Sequence, residues 1–253
     1  MEKKIPLVFL HGLGADHHQV EAMIVYDRLI TFDLPAHGEV PLPQTHLSFS
    51  LMAQFVEERL AELRIEEFVL GGISMGAAVA LRVALDQPDR CKGLLEVRPA
   101  WDCEGMPESN QKMFRDIGNL LKVHNHDDAK QLYSESSDFI KFKKRYPYNA
   151  IRMIDLFEEK NAELNCRKYL EITEDHPFDL TEVNQIEFPV CIIATRYDPL
   201  HSFALAKHLA KQLQNAEFSE IIAKPIDAIK HQQQLNHRVD RFMNKVNLGK
   251  CID

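Results

Sequence analysis

The sequence predicts an α/β fold, a mostly parallel sheet with helices on both faces, and three observations predict it. Six apolar runs, at residues 5–10, 29–33, 68–73, 92–97, 190–195 and 218–222, have the length of strands and are too brief for helices. Helical patterns such as 51–63 and 203–213 separate most of them, and strands that alternate with helices imply a parallel sheet with both faces covered. The runs lead into turns built from glycine, proline and aspartate, and sites in such sheets lie beyond the carboxyl ends of the strands.

The first run is edged by Pro6 and ends in His11-Gly12-Leu13-Gly14. The second enters the turn Asp33-Leu34-Pro35-Ala36-His37-Gly38, where Asp33 and His37 are expected to shape a loop. Phe68-Val69-Leu70-Gly71 then reads as a strand and Ala77-Ala78-Val79-Ala80-Leu81 as a helix, with Gly72-Ile73-Ser74-Met75-Gly76 between them. A serine at a sharp strand-to-helix turn is a nucleophile elbow: its backbone is strained, its hydroxyl projects into a cleft, and a Cβ two residues to either side would collide. Acyl transfer builds negative charge on a carbonyl oxygen, and each backbone N–H aimed at that oxygen lowers the barrier by roughly 3 kcal/mol. Leu13 and Met75 are the expected donors of this oxyanion hole.

Beyond residue 97 the chain leaves its fourth strand through Arg98-Pro99-Ala100-Trp101, and strand signals fade until about residue 185. Helices are expected there at 110–123, 127–142 and 151–169. The strand at 190–195 leads into Tyr197-Asp198-Pro199-Leu200-His201, in which Asp198 either opens a turn or serves as an acid. Near the end, Leu235, Val239, Phe242, Met243 and Val246 recur at helical spacing and define one buried stripe. His231 lies on that stripe and His237 on the opposite, solvated face.

His11-Gly12-Leu13-Gly14, the Asp33–Gly38 turn and Gly72-Ile73-Ser74-Met75-Gly76, in this order and at this spacing, resemble the α/β-hydrolase family of the serine-nucleophile type. The resemblance is close over the first hundred residues and resumes near Phe188. It implies a triad in the order serine, acid, histidine, carried onto Ser74, Asp198 and His231, with Glu96 and Asp102 in reserve as the acid. A glycine usually precedes the family's histidine, whereas Lys230 stands here. The resemblance further implies a core of residues 1–97 and 186–253 and a helical lid of 98–185, inserted after the sixth strand of the family sheet.

Lids line substrate pockets, so Met106, Phe139, Met153 and Phe157, with Met113, Phe114 and Leu156, are candidates for an apolar wall, although each could equally pack in a core. Arg98 and Trp101 at the pocket mouth could orient an anionic or aromatic substrate, or form a salt bridge to a lid carboxylate and a packed hinge. His11 and Gly12 join them as substrate-binding candidates. Similar bacterial hydrolases of uncharacterised substrate also carry Arg-Pro-Ala-Trp here.

The resulting expectation is a serine hydrolase of a small carboxylic ester that works through an acyl-enzyme, losing activity below about pH 6.5 as the imidazole is protonated. The alternatives use the same triad for a menaquinone-pathway type elimination, C–C bond hydrolysis or perhydrolysis, or are a non-catalytic receptor. Dehalogenases and epoxide hydrolases of this fold need an aspartate where Ser74 stands.

With a net charge of −8, general nucleic-acid binding is not expected; the basic cluster Lys141, Lys143, Lys144 and Arg145 reads as a solvated helix face. No stretch has the length of a membrane span, and the first apolar run is too short for a signal peptide. Five cysteines at positions 91, 103, 166, 191 and 251 lack metal spacing and suit reduced thiols in a cytoplasm. Adjacent His17 and His18 diverge, so neither a metal nor another cofactor is expected, and oligomeric state leaves no signal.

Overall fold

A computed structural model describes residues 4–249. In chain order the elements are β1 (Leu7–Leu10), α1 (His17–Glu21), β2 (Leu29–Ile30), α2 (Phe49–Glu62), β3 (Phe68–Ile73), α3 (Met75–Asp86) and β4 (Cys91–Val97). The helices α4 (Glu108–Val123), α5 (His126–Glu135), α6 (Ser137–Arg145), α7 (Pro147–Asp155), α8 (Arg167–Glu174) and α9 (Leu180–Val183) follow. The chain then returns as β5 (Val190–Ala194), α10 (Phe203–Gln212), β6 (Ala216–Glu220) and α11 (Ala228–Gly249).

Among the described residues the sheet has six strands in the order β2-β1-β3-β4-β5-β6, and every pairing is parallel. Parallel strands are joined by crossovers that cover both faces, which explains why β1, β3 and β5 are apolar throughout and buried at every residue. Alternate side chains enter different layers. Val8, Leu70, Leu94 and Ile192 pack with α2, α3 and α10; Leu7, Val69, Leu95 and Ile193 pack with α1 and with Leu235, Val239 and Phe242 of α11. The strand order reverses between β1 and β3, and a switch point of this kind opens a crevice at the carboxyl ends of the two strands.

All six expected strands form, but β2 stops at Ile30 instead of reaching Asp33. Asp33 is withdrawn to brace two loops: Oδ1 accepts from the His17 N–H at 2.9 Å and Oδ2 from the Glu39 N–H at 3.1 Å. The expected helix at 127–142 is broken at Ser136, whose extended backbone (ψ 143°) ends α5 and whose hydroxyl caps α6 by accepting from the Phe139 N–H. The expected helix at 151–169 is likewise two helices, separated by turns in which Asn161 takes a left-handed φ of 58°. Apolar periodicity runs through both breaks, so it could not mark them. No described helix is long and apolar enough to cross a membrane.

Candidate active site

Ser74 joins β3 to α3 with φ 58° and ψ −115°, a strained conformation for a residue with a Cβ. Tight packing over-determines it. An ideal Cβ on Gly72 would lie 2.1 Å from the Gly76 carbonyl carbon, and one on Gly76 would lie 2.3 Å from the Leu10 carbonyl oxygen, so only glycine fits at either place. The Ser74 N–H is spent on the Val97 carbonyl at 3.1 Å. Met75 opens α3, and its N–H therefore precedes the helical ladder and points out of the helix start. Across the switch point, the Gly12 N–H donates to Gln19 Oε1 at 2.8 Å, which holds the loop that carries Leu13.

His231 is buried in the first turn of α11 and donates from Nδ1 to the Ile222 carbonyl at 2.7 Å. That bond fixes the tautomer and leaves Nε2 as the acceptor nitrogen. Burial lowers the basicity of His231; the Ile222 bond opposes this, the nearby charges of Arg98 and Lys224 lower it further, and Asp198 raises it, so the net shift is downward from 6.5.

Asp198 does not hold His231, and this corrects the simple triad expected from the sequence. Its Oδ2 is bonded to His201 Nδ1 at 2.8 Å and to Arg98 Nη1 at 3.3 Å, while Oδ1 accepts from Asn149 Nδ2 and from the Leu200 N–H, each at 3.1 Å. The Leu200 bond is the turn-opening role that an aspartate before proline was expected to have. Burial pushes this carboxyl up, but His201, Arg98 and the Leu200 N–H outweigh burial and hold it well below the usual carboxylate range. Of the two reserve acids, Glu96 is fully buried within β4, and burial raises its pKa well above 4.5, which favours the neutral carboxyl. Asp102 accepts from the Glu104 N–H in a tight turn.

Ser74 and His231 open onto one cavity of about 360 Å³. Gly12, Leu13, Arg98, Trp101, Met106 and Met153 line it, as do Phe114 and Leu156. Four expected contacts do not, and of these Met113 packs against the hydrophobic core. Phe139 and Phe157 both pack tilted against Tyr133 inside the helical segment, at 5.0 and 5.4 Å between ring centroids, and are core. His11 is fully buried: Nε2 accepts from the Leu34 N–H at 3.0 Å and Nδ1 donates to the Gly12 carbonyl at 2.9 Å, so it braces the loop behind the cavity. Burial pushes its pKa down to about 4, and it stays neutral. Arg98 pairs with Asp198 and not with a carboxylate of the helical segment, and Trp101 packs edge-on against Phe49 at 5.2 Å.

Sequence reasoning missed Gln19, Asn149, His201, Lys224 and the Ile222 carbonyl. His201 was visible three residues after Asp198, in the very segment that drew attention to the acid. Asn149 and a main-chain carbonyl carry no motif. Near the cavity, His17, His18 and Glu21 each offer one ligand atom, all within 4.8 Å of one another, a closer approach to a metal-binding set than two divergent histidines suggested. The Nδ1 atoms of both histidines are already bonded, to Asp33 and Glu21.

The family model for the alpha/beta hydrolase fold matches residues 5–116, the stretch that holds β1, the elbow and β4. The AB hydrolase superfamily protein YisY of Bacillus subtilis is 24% identical over 251 residues, which cover 94% of this chain and 91% of that protein. A pimeloyl acyl-carrier-protein methyl ester esterase of Legionella pneumophila is 31% identical over 97 residues, 37% of each chain. The structure of a thermophilic esterase from Thermogutta terrifontis superposes with a TM-score of 0.74 at 16% identity, covering 98% of this chain and 92% of the other. With a parallel sheet that reverses its order at β1, glycine-walled strain at Ser74, a family-model match over residues 5–116 and similarity to hydrolases that runs from the first strand to the last helix, the chain has the α/β-hydrolase fold.

Proposed function

We propose that this protein cleaves a small carboxylic ester through an acyl-enzyme, with Ser74 as nucleophile and His231 as its general base. The observation that carries the reading is the strained Ser74, walled by two glycines and opening onto the same cavity as a histidine whose free nitrogen is Nε2. In this reading Nε2 takes the hydroxyl proton as Ser74 attacks, and later returns it to the leaving alcohol; water repeats the steps to release the acid. The N–H groups of Leu13 and Met75 hold the developing oxyanion. The Ile222 carbonyl orients the imidazole, and Asp198 contributes a fixed negative charge that favours the imidazolium from a distance. The methyl ester esterase among the relatives supports an ester over other acyl compounds. Residues 98–185 act as the lid, with Met106, Phe114 and Met153 supplying its apolar wall.

A fluorophosphonate probe should label Ser74, and Ser74→Ala should abolish labelling and lower kcat on p-nitrophenyl esters on the order of a millionfold. An unlabelled wild-type protein would end the reading. Because the basicity of His231 is depressed, the acid limb of kcat/KM should lie below the ordinary imidazole range near pH 6.5, a correction to the limb expected from the sequence.

A further inference from the structure

The ester chemistry leaves two cations on the cavity wall without a purpose, and the inference drawn from them rests on that reading of Ser74 and His231. Arg98 is the first residue after β4 and has φ 48°, a left-handed conformation that is strained for a residue with a Cβ. Its N–H is fixed to the Ile193 carbonyl at 2.7 Å, so the strained position is firmly held. Of the five N–H donors on its guanidinium, only Nη1 has a side-chain acceptor among the described residues, and that contact with Asp198 is long, at 3.3 Å. The buried Nε has no acceptor at all among the described residues. Lys224, on the loop between β6 and α11, lines the same cavity and has no carboxylate partner among the described residues. Arg152, the third cation of the wall, differs in being neutralised by Asp155 at 3.1 Å.

These two charges work against the chemistry as it stands. Acylation turns His231 into a cation, and Arg98 and Lys224 both disfavour that state. An excess of basic residues does not account for them, since the chain carries a net charge of −8. Strain, unused donors and repulsion toward the base make sense together if the compensating negative charge arrives with the ligand. A carboxylate fits best. It accepts from a guanidinium fork in two parallel bonds, and it would cancel the field on His231 at the moment the base must charge.

We propose that the substrate is a small monoester of a dicarboxylic acid, whose free carboxylate is taken by Arg98 and Lys224 while Ser74 attacks the ester carbonyl. Hydrolysis consumes one water, breaks the ester C–O bond and yields the alcohol and the dicarboxylate; the recognised carboxylate is unchanged. A cavity of about 360 Å³ suits an acyl part of a few carbons.

The test compares mono-p-nitrophenyl glutarate with p-nitrophenyl valerate, a neutral ester of equal chain length. The wild type should favour the charged ester in kcat/KM by about tenfold or more, and Arg98→Gln and Lys224→Gln should each reduce that ratio by about fivefold or more, mainly through KM. Lys224 is exposed, so its variant keeps the test informative if Arg98→Gln does not fold. Free glutarate should raise the Tm of the wild type and not of Lys224→Gln, while glutaramide raises neither, a readout that needs no turnover. A wild type that labels at Ser74 yet prefers valerate, or variants that keep the wild-type ratio, would overturn carboxylate recognition and leave the serine reading intact. A protein that does not label loses both.

Discussion

Ser74 is held by main chain at its N–H and at the two glycines that flank it, whereas Asp198 is held by three side chains and one N–H, and the His231 imidazole by one carbonyl. On the nucleophile side, β1 and β3 lie next to each other, Gly76 sits against the Leu10 carbonyl, and the conformation at Ser74 follows from the crossing of three backbone segments. On the base side, Asp198 has four partners and none of them is His231, while His231 makes its own bond to Ile222. Backbone geometry is bistable only at great cost; side-chain partners can be exchanged for about 1–3 kcal/mol each. The lesson is that this site carries one rigid half and one adjustable half, and substitutions should divide along that line.

The largest effect should come from the two histidines of the adjustable half. His231→Ala should lower kcat on the order of 10⁵-fold or more, as removal of a triad base does, while His201→Ala, which only frees an oxygen of Asp198, should stay within about tenfold. Steady-state rates on one p-nitrophenyl ester decide it. If His201→Ala is the more damaging, the Asp198–His201 pair at 2.8 Å is the working dyad and His231 is a packed side chain.

In the rigid half the comparable substitution is Gly76→Ala. Its methyl would lie 2.3 and 2.5 Å from the carbonyl oxygens of Leu10 and His11, both in or next to a central strand that cannot move aside. Overpacking usually costs 1–3 kcal/mol; against main chain we expect about 3 kcal/mol or more, a fall in Tm of about 10 °C for a chain of this size. Thermal unfolding followed by circular dichroism reads it. A variant with wild-type Tm would mean the elbow is as adjustable as the base side.

The same division decided what the sequence could reveal. Strands β1, β3, β4 and β5 and the elbow were legible because their signals are local: short apolar runs, glycines spaced about a serine, a turn after each strand. The family motifs identified His231 and Asp198 as candidates, yet the absence of a bond between them was not legible, since a carboxylate surrounded by Arg98, Asn149 and His201 settles among partners from three separate parts of the chain. The helical segment was the least readable. Apolar periodicity marks Phe139, Phe157, Met106 and Met153 alike, and only packing separates the first two, which pack against Tyr133, from the last two, which face the cavity. The breaks at Ser136 and Asn161 were hidden for the same reason, because stripe spacing continues across a cap.

Glu96 gives the mildest and most specific test, because it lies on β4 between the two halves, paired with Gly72 of the rigid half in the sheet register. Burial alone raises its pKa well above 4.5, and one of its oxygens has no partner among the described residues. The folded carboxyl therefore keeps its proton where the unfolded one has lost it. Above pH 4.5 the unfolded state binds fewer protons, so this group makes the fold less stable as pH rises, by about 1.4 kcal/mol per unit until the folded carboxyl itself ionises. Glu96→Gln removes that loss. Its unfolding free energy, measured in urea, should gain on the wild type as pH rises above 4.5, with kcat within about threefold of wild type. Parallel stability curves would mean that the carboxyl is ionised in place, and a collapse of kcat would make Glu96 the acid that the Asp198 partners have displaced.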